Sequence, residues 1–303
     1  MNKIFKIVWN AARGKMMVVN EATSSVQTGK KAAVTVAVAS ALLLSANIAS
    51  AASKVYGGGQ FASADVNNAG SSFELTVDKG DYDRVVGGVY TQMNDNAHDG
   101  TFEHAFGSVK TVIGDGITVN EELTAGHRHA YGYDDGEHPG DNKFSIHTKK
   151  TELVITGGEF TGSYTLEDPS TDGTFAGAHE QFVTLGDYIK DRGINYGNNQ
   201  VSESVIDTAS ASISGGSFAA PVFGGTVLNA YSLQNVKMTA EVTESNINIT
   251  GGTFKDNLYA GGASYNGYSG GYDSNTTNRE ITSHVEVANL SISGDKATFE
   301  GDI

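Results

Sequence analysis

One phrase recurs along this 303-residue chain and limits what it can fold into. Residues 249–262 read ITGGTFKDNLYAGG, 213–225 read ISGGSFAAPVFGG, 77–88 read VDKGDYDRVVGG, 155–160 read ITGGEF and 292–303 read ISGDKATFEGDI. In four copies an aromatic stands five places after the leading β-branched residue: Tyr82, Phe160, Phe218 and Phe254. Phe299 comes two places late in the last copy. Ahead of the phrases apolar residues alternate, as in Phe73, Leu75 and Val77, or in Ala209, Ala211 and Ile213 with Ser210 and Ser212 between them. Period two is a strand with one buried face. The glycine pair permits a positive φ or a close backbone approach. One such unit cannot cover its own apolar face, whereas stacked units cover one another. The leading residues fall at 77, 155, 213, 249 and 292, so a fixed phrase is separated by loops of unequal length. The expected fold is all-β, a right-handed parallel β-helix or β-solenoid over residues 52–303, with Ile213, Phe218, Ile249 and Phe254 stacked inside. A β-sandwich would not need one phrase five times.

Charge separates the chain into two parts. Residues 1–51 carry six basic groups (Lys3, Lys6, Arg13, Lys15, Lys30 and Lys31) and one acid, Glu21. Residues 52–303 hold 14 basic and 34 acidic groups, a formal charge near −20. Such a surface repels phosphate backbones, so nucleic acid is excluded as a partner. The absence of cysteine removes disulfides, thiolate zinc sites and a cysteine nucleophile, and says nothing against export.

From Ala32 to Ala49 the chain is uncharged, follows Lys30-Lys31 and ends in Ala49-Ser50-Ala51. A basic start, an apolar run and a small-residue site make residues 30–51 a secretory signal peptide, with cleavage after Ala51 or Ala52. The run is too short and too rich in Ala, Ser and Thr for a membrane span. Residues 1–29 form a second, earlier cationic leader, expected to be helical. Here Met1-Asn2-Lys3-Ile4, Trp9-Asn10 and Val18-Val19 resemble the extended signal peptide region of Gram-negative type V secretion (autotransporter-type) proteins, with Met16-Met17 departing from the family's usual aromatic. The resemblance implies slowed inner-membrane export through the Sec machinery, a β-helical passenger and an outer-membrane translocator. That translocator is expected to lie outside this chain. The final phrase stops at FEGDI, where other copies reach their closing Gly-Gly, so the chain is expected to end inside a repeat.

Chemistry is sparse. No Gly-Asp-Ser-Gly motif is present, and no catalytic residue or cofactor is predicted. His127, His129 and His138, in GHRHAYGYDDGEHPGD, are candidate metal ligands because His-x-His sets two imidazoles on one strand face near carboxylates. The plainer reading is a polar loop between rungs. The acid pairs Asp81/Asp83 and Glu121/Glu122 have the form of a glycosidase couple, but 34 acids supply such pairs by chance. LYAGGASYNGYSGGY, residues 258–272, offers Tyr259, Tyr265, Tyr268 and Tyr272 as a ligand-binding surface. The expected function is that of an exported, non-enzymatic, adhesin-like passenger at the cell surface or secreted, with a host or cell-surface glycan or protein as partner. The alternative is a polysaccharide-acting enzyme on the same scaffold.

Overall fold

The computed structural model describes residues 5–10, 15–20, 54–62, 72–93, 100–131, 142–161, 181–191, 200–230, 236–266 and 280–303. The chain divides into two units, Met1–Thr35 and Val36–Ile303. In the first, the expected helical leader is corrected. Strands β1 (Phe5–Asn10) and β2 (Lys15–Asn20) pair antiparallel, with Ile7 opposite Val18 and Val8 opposite Met17. The stretch is rich in β-branched residues, which favour extended backbone over helix.

The described part of the second unit is all-β, and every strand pair in it is parallel. Strands β3 (Lys54–Tyr56) and β4 (Gly59–Ala62) open it. Six long strands follow: β5 (Ser72–Val86), β7 (Gly100–Thr124), β9 (Asn142–Ile155), β13 (Gln200–Ile213), β17 (Val236–Phe254) and β20 (Glu280–Phe299). They pair in that order, each chain segment lying on the one before it. Short strands continue each rung past a turn: β10 (Glu159–Phe160) and β14 (Ser217–Phe218), then β11 (Phe182–Thr184), β15 (Val222–Phe223) and β18 (Leu258–Tyr259). A six-stranded sheet completes the rungs, from β4 through β6 (Val89–Met93), β8 (Arg128–Tyr131), β12 (Tyr188–Asp191) and β16 (Val227–Ala230) to β19 (Ala263–Asn266).

The phrase becomes two columns of side chains. Val77, Ile113, Ile155, Ile213, Ile249 and Ile292 occupy one register position. Tyr82, Val119, Phe160, Phe218, Phe254 and Phe299 occupy another. The last four rings stack with centroids 4.6, 4.6 and 4.8 Å apart and planes within 11°. Phe160, Phe218 and Phe254 are buried within the main core cluster. Phe299 falls in register despite its late position, because a bulge in β20 absorbs the extra residues between Ile249 and Gly251 of its partner. The columns also show a rung that the phrase hid, running from Ile113 to Gly126. Its sequence lacks the glycine pair and has Val119 where its neighbours have a ring.

Glycine serves two distinct turns. After the first arm Gly158, Gly216 and Gly252 hold φ of 96°, 103° and 111°, a region closed to most side chains. At the second bend the backbone stacks directly on itself: Gly88 donates to Gly126 O, Gly126 to Gly186 O, Gly186 to Gly225 O and Gly225 to Gly261 O.

Candidate functional site: the glycine corner

The second bend is where the chain collects its buried polar groups. Alternation along β11 sends Val183 and Leu185 to the main core, while Phe182 joins a separate cluster with Tyr188, Phe223 and Val227. Phe182 and Tyr188 lie on the two arms of one rung and meet edge to face at 4.9 Å. The outer faces of the two arms therefore converge across the bend.

In the two preceding rungs the same register position holds charge, Glu122 and then Arg84. Glu122, wholly buried, accepts from Arg84 Nε at 3.0 Å and Arg128 Nε at 2.8 Å through Oε2, and from Thr124 Oγ1 at 2.8 Å through Oε1. Arg84 also reaches Glu121 at 3.4 Å. The Arg128 guanidinium lies between the faces of Tyr90 and Tyr188, 4.9 and 5.2 Å from their centroids. Burial alone would raise the Glu122 carboxyl above its ordinary range, but the Arg128 and Arg84 charges outweigh it and hold the group lower. Burial alone would lower both guanidinium values, and Glu122 reverses that. Glu122 is thus a fixed anion. A glycosidase acid needs a carboxyl held high enough to carry a proton, so its environment is the opposite of that role.

The inner side of the bend carries a second polar group. Asp187 accepts from the His127 backbone N–H at 2.7 Å and from Ser204 Oγ at 2.7 Å. Its carboxylate sits against Gly126 where a Cβ would lie, so a side chain at 126 has no room. Burial raises Asp187 to about 6, with the two hydrogen bonds opposing. The residue types match a hydrolase triad, but the serine bonds the aspartate, not the imidazole, and no nucleophile–base contact exists among the three. The bend also turns carbonyls inward, and hydroxyls from the opposite wall meet them. Thr151 Oγ1 donates to Leu185 O at 2.7 Å, Ser245 Oγ to Gly224 O at 2.8 Å and Ser283 Oγ to Thr226 O at 2.7 Å. Sequence reading missed this set because the donors lie 17 to 60 residues from their partners. The one local signal was a hydroxyl residue at an inward strand position.

The candidates from sequence fall as follows. His127 and His129 are both buried, His127 in the bend just ahead of β8 and His129 on β8. His127 stacks on Phe106 at 4.0 Å and accepts from the Val89 amide through Nδ1, while Nε2 has no hydrogen-bond partner. His129 stacks on Phe144 at 3.5 Å. Burial takes both down to about 3, helped by His104 for the first and Arg128 for the second. His138 lies outside the described residues, among which no group of three or more His, Asp or Glu is placed to hold a metal. Tyr259 is 43 % exposed, stacks on Phe223 at 5.0 Å and accepts from Asn257 Nδ2 at 2.9 Å. Tyr265 stands on β19 in register with Asn229. Tyr268, Tyr272, Ala51 and Ala52 lie outside the described residues.

Against this geometry, residues 1–51 match the family model described as Extended Signal Peptide of Type V secretion system. The leader is therefore of the kind that carries type V secretion proteins into export, as Met1 to Ile4 and Trp9-Asn10 indicated. The match ends at residue 51, before the parallel rungs begin. No curated protein and no solved structure matches the chain.

Proposed function

We propose that residues 52–303 are the passenger of a Gram-negative type V secretion protein, a right-handed parallel β-helix that displays its inter-rung loops at the cell surface as an adhesin without catalysing a reaction. The observation that supports this reading most is the pairing of an extended signal peptide with one register kept over six successive rungs. A slow-forming fold of non-local strand pairs gains from delayed export. The charged and polar groups of the bend are bound to one another, which suits a scaffold whose variable loops make the contacts.

The test is adhesion of the purified 52–303 polypeptide to host cells and immobilised glycans. Replacing Tyr259, Tyr265, Tyr268 and Tyr272 together by Ala is expected to lower binding at least tenfold while leaving the thermal transition in place. Unchanged binding would remove this loop from the adhesive surface. Release of new sugar ends from a polysaccharide would replace adhesion by the enzymatic alternative.

A further inference from the structure

We infer that the β1–β2 hairpin of the leader docks on an anionic phospholipid surface, the cytoplasmic leaflet of the inner membrane, with the face that carries Trp9 toward the lipid. The inference rests on the leader and its family match and stands whether or not the passenger is an adhesin.

Register and period two sort the paired residues of the hairpin onto two faces. Phe5, Ile7, Trp9, Met16 and Val18 share one face with Asn20, and no charged residue falls on it. Lys6, Asn10 and Lys15 share the other with Val8, Met17 and Val19. Among the described residues the hairpin is a sheet of two strands. Two strands alone are at best marginally stable in water, so the apolar face calls for a cover.

Charge identifies the cover. Residues 1–20 hold Lys3, Lys6, Arg13 and Lys15 and no acid. A cationic segment with one apolar face partitions into the boundary between headgroups and acyl chains. Anionic headgroups strengthen that binding with each Lys or Arg close to the surface. Screening at physiological salt reaches about 8 Å, so Lys6 and Lys15 on the reverse of a single sheet still act on the headgroups. Tryptophan favours the same boundary, and Trp9 is the chain's only one. The apolar run from Ala32 to Ala49 follows in the same leader, so both segments address one membrane.

Trp9 reports the contact in the whole uncleaved chain. On vesicles of phosphatidylglycerol with phosphatidylcholine its emission is expected to shift to the blue and to be quenched by lipids brominated high on the acyl chain. On phosphatidylcholine alone the affinity read from that shift should fall at least about tenfold. Lys6→Gln with Lys15→Gln should weaken it about thirtyfold on the mixed vesicles. Ile7→Asn with Val18→Asn takes two apolar residues from the docked face and should abolish the shift. Val8→Asn with Val19→Asn, on the reverse, should leave the affinity within about threefold of the parent. A helix would give the opposite order, because Phe5, Val8, Trp9, Met16 and Val19 fall on one helical stripe and Ile7 and Val18 on the far side. Trp9 emission that the mixed vesicles do not move overturns the inference, since another part of the chain then covers that face. Equal affinity for the two kinds of vesicle also overturns it, and so does a greater loss from the Val8 and Val19 pair than from Ile7 and Val18.

Discussion

Glu122 shows how an isolated residue can mislead when read from sequence. Beside Glu121 it has the form of an acid pair, yet the fold seals it between two arginines and a threonine hydroxyl. Its contribution is that of a buried ion cluster, where losing one partner costs more than the cluster is worth as a whole. Glu122→Gln keeps the shape and leaves Arg84 and Arg128 facing each other without the anion. Denaturant unfolding of the variant is expected to show a loss of about 3–5 kcal/mol, the range for breaking a buried pair. Asp81→Asn, on an exposed residue, should move stability by less than about 0.5 kcal/mol. Equal losses at both positions would argue that Glu122 is not the keystone of the bend.

At the scale of the element, the unit is the column, and it explains why some positions tolerate change and others do not. Phe254 is stacked between Phe218 and Phe299 and is fully buried, so each face of its ring is a contact with a neighbouring rung. Phe254→Ala is expected to cost about 3–5 kcal/mol. Hydrogen exchange should show the loss concentrated in β14, β17 and β20, because each rung contacts only its neighbours. Uniform deprotection down to β5 would mean that the rungs unfold as one unit. The rung at Ile113–Gly126 was illegible in the sequence for the same reason that the column tolerates it. Val119 fills the position that a ring fills elsewhere, and the register is kept by pairing over the whole of β7 rather than by one residue.

For the whole molecule, acid is the condition that bears on stability. His127 and His129 are held near 3 in the fold and have ordinary values near 6.5 when unfolded. The unfolded chain therefore takes up two more protons than the folded one as the pH falls below about 6. Asp187 opposes them: near 6 in the fold against 3.8 unfolded, it is protonated first in the folded state. Among these three groups the unfolded state holds a net excess of one proton from about pH 6 to 4, which lowers stability by about 1.4 kcal/mol per pH unit, and the lowered values of His104 and Glu122 act in the same sense. Below about pH 4 Asp187 is protonated in both states, and the slope steepens to about twice that. Chemical denaturation between pH 7 and 4 measures it. His127→Phe with His129→Phe should flatten the slope between pH 6 and 4, because Asp187 then offsets what His104 and Glu122 contribute. An unchanged slope would assign the acid sensitivity to other groups.

The sequence by itself determined the export leader and the repeated strand, because both are local. Basic groups, an apolar run and a small-residue site are read in order along the chain, and alternation with a glycine pair is read within a dozen residues. It also marked Phe218 and Phe254 as inward-facing, since an aromatic recurs at the same place in the stacked phrase. What only the tertiary structure decided lies between rungs. Leu75, Leu290 and the four residues between them in register share a column that no spacing along the chain reveals, because the loops that separate them differ in length. The histidines of the candidate metal set became core residues stacked on phenylalanines, since His127 and His129 fall on the six-stranded sheet and its approach rather than in the loop beyond. Glu122 became the centre of an ion cluster, since the glycine bend folds Arg128 back onto it while Arg84 arrives from the rung below. Contacts of that kind are made across a bend and between turns of the chain, and they exist only once the rungs have stacked.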